Sequence, residues 1–204
     1  VPYYWTQAAE ELSASDPLMA GLVAQYPGVS LVSRGDPFCT LARSIVGQQI
    51  SVKAADSVWS RFVGVVGAVT PGRVAELGRE GLEGCGLSKR KIEYLADLAG
   101  HFLSGQLAPA GWAAHDDEAI IAELVAVRGI GRWTAEMFLI FNLMRPDVFP
   151  LDDIGLQRAI FLRYFNGEKQ PRRAISAFGE RWRPWRSVAT WYLWRSLDPV
   201  PVAY

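Results

Sequence analysis

Two adjacent carboxylates, Asp152 and Asp153, follow the proline-marked stretch "RPDVFPL", and a Gly-Ile-Gly turn, Gly129 to Gly131, stands at the other end of the apolar run before it. A carboxylate held near developing positive charge stabilises it electrostatically, or takes a proton from an attacking water. Glycines accept the positive φ of a helix C-terminus and let another backbone approach closely. Where a second helix starts at once, its unpaired N–H groups and positive dipole end form an anion site suited to a nucleic-acid phosphate. Thr134 offers that site a hydroxyl and Arg132 a charge. Each feature also has a plainer reading. Gly-x-Gly serves in tight turns with no ligand, and acids at a helix start are ordinarily caps, which is the reading preferred for Asp152. Asp153 is expected in the first turn of the following helix, where the dipole favours the ionised form by ~0.3–1 kcal/mol and burial opposes it.

Helices must position these residues, because apolar positions recur at helical spacing nearly throughout. Asp16-Pro17 and Asp36-Pro37 each read as an N-cap followed by proline at the first helical position. Ser51 caps a helix that turns Val52, Ala55, Val58, Trp59 and Phe62 to one face. "TPGRVAEL" and "GREGLEGCG" read as short helical pieces, and "SKRKIEYLADLAGHFLSG" as an amphipathic helix burying Ile92, Leu95, Leu98, Ala99 and Phe102. "DDEAIIAELVAV", "DIGLQRAIFLRYF" and "PWRSVATWYLWRSL" supply further helices. Only "VSLVSRG" resembles a strand, without a sheet to join. The fold class is all-α, with a subdomain boundary near Pro146 and Pro150.

Composition narrows the function. Twenty-one basic and 21 acidic residues cancel, which argues against a broadly basic nucleic-acid binder and leaves room for a local positive strip. No run of 18 apolar residues occurs, and the N-terminus lacks signal-peptide design. It begins with Val rather than Met, as numbering that starts inside a longer chain would. Cys39 and Cys85 are too few for a disulfide framework and wrongly spaced for zinc or an iron–sulfur cluster, so a reducing cytoplasm fits. Of the eight tryptophans, Trp182, Trp185, Trp191 and Trp194 crowd the C-terminal end, and helical spacing assigns the first three to the core.

"VRGIGRWTAEMF" resembles the helix-hairpin-helix motif of the DNA glycosylase superfamily, and "DVFPLDD" its Gly/Pro-rich loop ending in the catalytic Asp. The pattern is most similar to the 3-methyladenine DNA glycosylase II family, which "RSIVGQQISVKAA", "GLSKRKIEYLADLA" and "RWRPWRSVATWYLW" also resemble in the same order, over roughly residues 16–197. The resemblance implies two helical subdomains with the active site in a cleft between them: 1–36 with 146–204, and 37–145 containing the hairpin at about 118–143. Many family members carry a preceding β-sheet domain, for which this chain has no room.

By the same resemblance Asp153 is catalytic, and the reaction is hydrolysis of the bond between C1′ and an alkylated purine of the 3-methyladenine or 7-methylguanine kind. A base that already carries positive charge leaves neutral and needs no general acid. The base must first be flipped out of the duplex. The family's wedge position falls on Gln49, with Gln48 before it. An apolar wedge is common there, so Gln49 is placed to hydrogen-bond the orphaned partner base; two polar residues ending a helix are the alternative. Trp133 and Trp194 match pocket-lining tryptophans, whose faces attract a cationic base by roughly 0.5–2 kcal/mol. Met137 stands where an aromatic is common.

Trp133 also occupies the position of the Schiff-base Lys of lyase-competent relatives, which implies a monofunctional enzyme. Gly129, Gly131, Arg132 and Thr134 would grip the DNA backbone, with Lys89, Arg90, Lys91, Lys53 and Arg43 as further basic candidates. The main-chain carbonyls of Val125, Val127 and Ile130 would hold a structural Na+ or K+, and catalysis needs no cofactor. His101 and His115 fall outside the motifs and receive packing or surface roles. The implied partner is damaged double-stranded DNA, met by a monomer in the cytoplasm. Rival readings are a glycosylase for an oxidised, deaminated or mismatched base, a non-catalytic hairpin DNA-binding module, and a helical scaffold.

Overall fold

Capping side chains decide where most of the helices begin. The computed structural model describes residues 1–197 of the 204. Helix α1 (Trp5–Ser15) has no side-chain cap and no signal that sequence reading picked up. Asp16 caps α2 (Pro17–Gln25) by accepting from the N–H groups of Leu18 and Met19, and Asp36 caps α3 (Pro37–Gly47) through that of Cys39. In both, proline takes the first position, where its missing N–H would have lacked an intrahelical acceptor anyway. Ser51, Thr70, Ser88 and Asp116 cap α4 (Val52–Val66), α5 (Pro71–Leu82), α6 (Lys89–Leu103) and α7 (Asp117–Val125) in the same way. Each such cap contributes about 1 kcal/mol. Then follow α8 (Arg132–Phe141), α9 (Ile154–Tyr164), α10 (Arg172–Gly179) and α11 (Arg186–Arg195). Among the described residues there is no strand, so the chain is all-α, and "VSLVSRG" connects α2 to α3 without forming one. No helix of the described residues is long and apolar enough to cross a membrane.

The chain divides into two compact units, one made of Val1–Ser33 with the described residues from Leu139 onward, the other of Arg34–Phe138. Sequence reading put the changes at 36/37 and 145/146, and residues 198–204 of its first subdomain lie outside the described residues. The second change falls earlier, at 138/139, inside α8. Pro146 marks the loop after that helix rather than the change of unit.

In the unit Arg34–Phe138, α3 packs on α4 and α6, and α5 on α4 and α6. Phe38, Leu41, Ile45, Phe62, Leu95 and Leu98 are sealed in its core, each burial contributing about 1.5–3 kcal/mol. The spacing on α6 is obeyed by Ile92, Leu95, Leu98 and Ala99, while Phe102 is half-buried with its ring edge-on to Phe38. Val52 departs from the expected face: it is 54% exposed, and burial on α4 starts later, with Val58 and Phe62. Gly78 breaks α5 (φ 58°, ψ −163°) into the two short pieces that the sequence implied.

In the other unit α11 packs on α1, α2 and α9. Trp5 meets Trp191 edge-on at 5.2 Å, and Trp182 is fully enclosed by aromatic rings including Tyr164 and Phe178. Trp182 and Trp191 are core residues as their spacing predicts. Trp185 is half-buried, stacked on Tyr4 and donating its indole N–H to Glu11. This packing leaves α11 nearly buried from Ser187 to Leu193 and fixes the helix end that carries Trp194.

Candidate active site

The loop after α8 closes with a turn in which Asp153 N–H donates to the Pro150 carbonyl at 2.9 Å. Asp153 then takes extended backbone (φ −72°, ψ 118°) as the N-cap of α9, one residue before the first turn in which it was expected. Its Oδ1 accepts from Leu156 N–H at 2.6 Å and from Trp194 Nε1–H at 2.8 Å. Only 6% of Asp153 is exposed. The two donors satisfy an oxygen that burial takes out of water, and the side chain stands at the positive end of the α9 dipole.

Asp152 is not the cap that sequence reading preferred. A helix has one N-cap, and Asp153 occupies it. Asp152 is exposed and forms a two-pronged ion pair with Arg172 on α10, at 2.8 and 3.0 Å.

Trp194 is half-buried and lies face to face with Phe141, ring centroids 5.8 Å apart and planes 12° from parallel. Sequence reading missed Phe141. The signal was present, since Trp133, Met137 and Phe141 follow at i, i+4 and i+8 along α8 and so share a helix face. Asp153, Trp194 and Phe141 belong to the unit that resumes at Leu139, and Trp133 and Met137 to the unit Arg34–Phe138. Trp133 is 40% exposed and Met137 is buried.

The two hairpin glycines differ in kind. Gly129 has φ +87°, and a Cβ there would lie 2.1 Å from Cδ2 of the Tyr94 ring, so glycine is required twice over. Its carbonyl accepts from the Gln48 side chain at 2.8 Å. The turn is held further by Ile130 N–H donating to the Val127 carbonyl, and by the buried side chains of both residues. Gly131 has ordinary φ, and a Cβ there would meet nothing within 4 Å. Its carbonyl accepts Ala135 N–H at 3.0 Å and so opens α8, whose first-turn N–H groups, from Arg132 to half-buried Thr134, have no acceptor within the helix.

Arg132 already has partners. Its guanidinium forms two hydrogen bonds to Glu118 on α7, and its Nε donates to buried Glu136 at 3.0 Å. These carboxylates hold the Arg132 guanidinium even more firmly protonated than usual, and Arg132 in turn keeps Glu118 below the ordinary carboxylate range. Arg132 therefore ties α7 to α8 across the turn.

The glutamines also separate. Gln48 is committed to Gly129, whereas Gln49 is exposed with φ +59°. Of the other basic candidates, Lys91 donates to the Val46 carbonyl at 2.7 Å, burial lowering its pKa, and Arg43 pairs with Asp56. Lys53, Lys89 and Arg90 are exposed. His101 bonds the Asp97 carbonyl and His115 faces Glu123, both local contacts. Val125 is the last residue of α7 and has an exposed side chain, while Val127 and Ile130 lie in the turn that follows.

Residues 42–184 match the HhH-GPD superfamily of base excision DNA repair proteins. The chain is 31% identical over 179 residues to DNA-3-methyladenine glycosylase 1 of Schizosaccharomyces pombe, covering 86% of this chain and 78% of that protein. Among solved structures, the DNA-3-methyladenine glycosidase of Bacillus halodurans superposes with a TM-score of 0.86 at 35% identity, over 94% of this chain and 89% of that one. The 3-methyladenine DNA glycosylase Mag1 of Schizosaccharomyces pombe, in complex with abasic DNA, superposes with 0.78 at 30% identity, over 96% of this chain and all of that one. Two Bacillus subtilis relatives, 32% and 30% identical, are longer, and this chain spans 66% of their length.

Proposed function

We propose that this chain, which belongs to the HhH-GPD superfamily of base excision DNA repair proteins, is a monofunctional DNA glycosylase for alkylated purines of the 3-methyladenine and 7-methylguanine kind. The observation that carries the reading is the Asp153 carboxylate, buried at the N-cap of α9 and held through one oxygen by two N–H donors. As the bond from C1′ to the purine nitrogen breaks, its electron pair passes to the base and cancels the positive charge there. The sugar becomes cationic, water adds at C1′, and a proton is released. Asp153 stabilises the sugar cation and orients or deprotonates the water. The departing base is neutral, so one carboxylate suffices.

The remaining roles follow the residue chemistry. The turn at Gly131 and the first-turn amides of α8 grip a phosphate through backbone donors, which suits a chain with no net charge. Gln49, exposed and in the left-handed region, enters the duplex to fill the gap left by the flipped base, while Gln48 braces the hairpin. Trp133 offers its face to the cationic base and, being no amine, supports hydrolysis without strand cleavage. The carbonyls of Val125, Val127 and Ile130 are uncharged oxygen donors, the type a monovalent cation takes, and would hold a Na+ or K+ that supplies positive charge at the hairpin. The protein acts as a monomer on damaged duplex DNA in the cytoplasm.

Incubation with methylated duplex followed by hot alkali tests the reading, since an enzyme of this kind leaves abasic sites that alkali turns into strand breaks. Breaks well above the no-enzyme background are expected with the wild type, and background breaks alone with Asp153→Asn. Equal breaks above background with both would remove Asp153 from the mechanism, and background alone with both would leave only a DNA-binding protein.

A further inference from the structure

Gly155 lies in the first turn of α9 with ordinary helical φ, so no backbone conformation demands glycine there. A glycine inside a helix is ~1 kcal/mol less favourable than alanine. What an added side chain would disturb is the close packing beside it, where neighbours would have to give by a few tenths of an ångström. A Cβ at position 155 would stand 3.2 Å from Asp153 Oδ1 and 3.4 Å from both Cδ1 and Nε1 of Trp194. Those are the two groups joined by the 2.8 Å hydrogen bond, and Phe141 lies against the indole face.

Building on the glycosylase reading, we propose that Trp194, Gly155 and Phe141 form a positioning device for Asp153, in which Trp194 acts as a hydrogen-bond donor as well as an aromatic wall. Asp153 Oδ1 receives Leu156 N–H from its own helix and the indole N–H from α11, and the two donors fix the rotation of the carboxylate. Gly155 supplies the gap through which the indole edge reaches that oxygen, and Phe141 sets the ring plane. A carboxylate fixed in advance spends no freedom as the sugar cation forms. Phenylalanine at position 194 would keep a ring against Phe141 and lose the donor.

The test combines three measurements on the full chain: single-turnover excision from a duplex carrying one 7-methylguanine, affinity for abasic duplex, and the indole N–H resonance of Trp194. A hydrogen bond to a charged group, fully expressed in the transition state, is worth about tenfold to a hundredfold in rate. Trp194→Phe is expected to slow excision by about tenfold or more, with affinity changed by no more than about twofold. Gly155→Ala should slow excision while Tm moves by no more than a few degrees, because the better helix propensity of alanine offsets part of the disturbed contact. The double variant should be no slower than Trp194→Phe alone, since both remove the same contact. In an otherwise wild-type chain, Gly155→Ala and Asp153→Asn should each move the Trp194 indole resonance. Wild-type excision by Trp194→Phe, or a double variant slowed by the product of the two single losses, overturns the proposal, as does an indole resonance unmoved by Gly155→Ala. A wild-type chain that excises nothing overturns the glycosylase reading instead, and the resonance then still decides whether Gly155 and Asp153 position the indole.

Discussion

Alanine placed in turn at the two hairpin glycines separates the protein's own needs from those of DNA. Gly129→Ala forces a side chain into the left-handed region, at a cost of about 1–2 kcal/mol, and sets Cβ 2.1 Å from the Tyr94 ring. That contact is far inside van der Waals separation, so the ring or the turn must move by more than an ångström, which costs about a further 1–3 kcal/mol. The Gly129 carbonyl then loses its register with Gln48. A total of about 2–5 kcal/mol corresponds to a Tm lower by roughly 5–20 °C for a chain of this size. Gly131→Ala meets nothing within 4 Å and requires no unusual φ. Its structural cost is the difference between glycine and alanine at an N-cap, about 0.5–1 kcal/mol, or a few degrees in Tm. In the proposed DNA grip a phosphate would approach the first-turn amides of α8 that follow this residue, so an added methyl group there would crowd it. Calorimetry and fluorescence anisotropy with abasic duplex give the two readouts. Gly129→Ala should show the large loss of stability, and Gly131→Ala only the few-degree loss while losing about tenfold or more in affinity, one charge-assisted hydrogen bond to phosphate being worth ~1.5–3 kcal/mol. Full affinity in Gly131→Ala would refute the backbone grip at this turn, and undiminished Tm in Gly129→Ala would refute the packing argument.

Three further outcomes are expected. Asp153→Asn should reduce single-turnover excision by at least about a hundredfold, the scale on which a preorganised electrostatic group acts, with DNA affinity kept within about threefold; comparable losses in both would mean that the site had collapsed. Asp16 is 7% exposed, caps α2 and accepts from half-buried Tyr164 at 2.7 Å and from the buried Trp182 indole at 3.4 Å, so Asp16→Ala should cost about 2–4 kcal/mol through the lost cap and the donors left without their acceptor. Urea titration measures this, and a cost below about 1 kcal/mol would contradict the buried-partner argument. Glu118 is held below the usual carboxylate range by Arg132, so the stability from this pair is complete above the ordinary Glu value near ~4.3 and disappears as pH falls through the lowered one. The pair is exposed, so the contribution is at most about 1 kcal/mol. Glu118→Gln should remove that acid-side slope of Tm, and an unchanged slope would exclude the pair as its source.

Sequence alone determined what local interactions determine. Asp16-Pro17, Asp36-Pro37 and Ser51 announce helix starts because a cap bonds amides two or three residues away. The face of α6 announces its buried residues because 3.6-residue periodicity is written along a single helix. Gly129, Asp153 and the order of four motifs pointed to the family for the same reason: each is a short contiguous pattern. Helix α1 went unseen because it lacks a cap, and Val52 misled because periodicity does not say where a neighbouring helix stops covering a face.

Tertiary structure decided everything that depends on a partner distant in the chain. Gln48 and Gln49 are alike in sequence, and only the approach of the Gly129 carbonyl, 81 residues away, commits one and leaves the other exposed. Arg132 reads as a free charge until α7 brings Glu118 against it, and Asp152 reads as a cap until α10 brings Arg172. The contact between Trp194 and Asp153 spans 41 residues and depends on a glycine whose purpose is invisible without the indole beside it. Composition and spacing limit which groups can bond, but the packing of whole helices selects which of them meet.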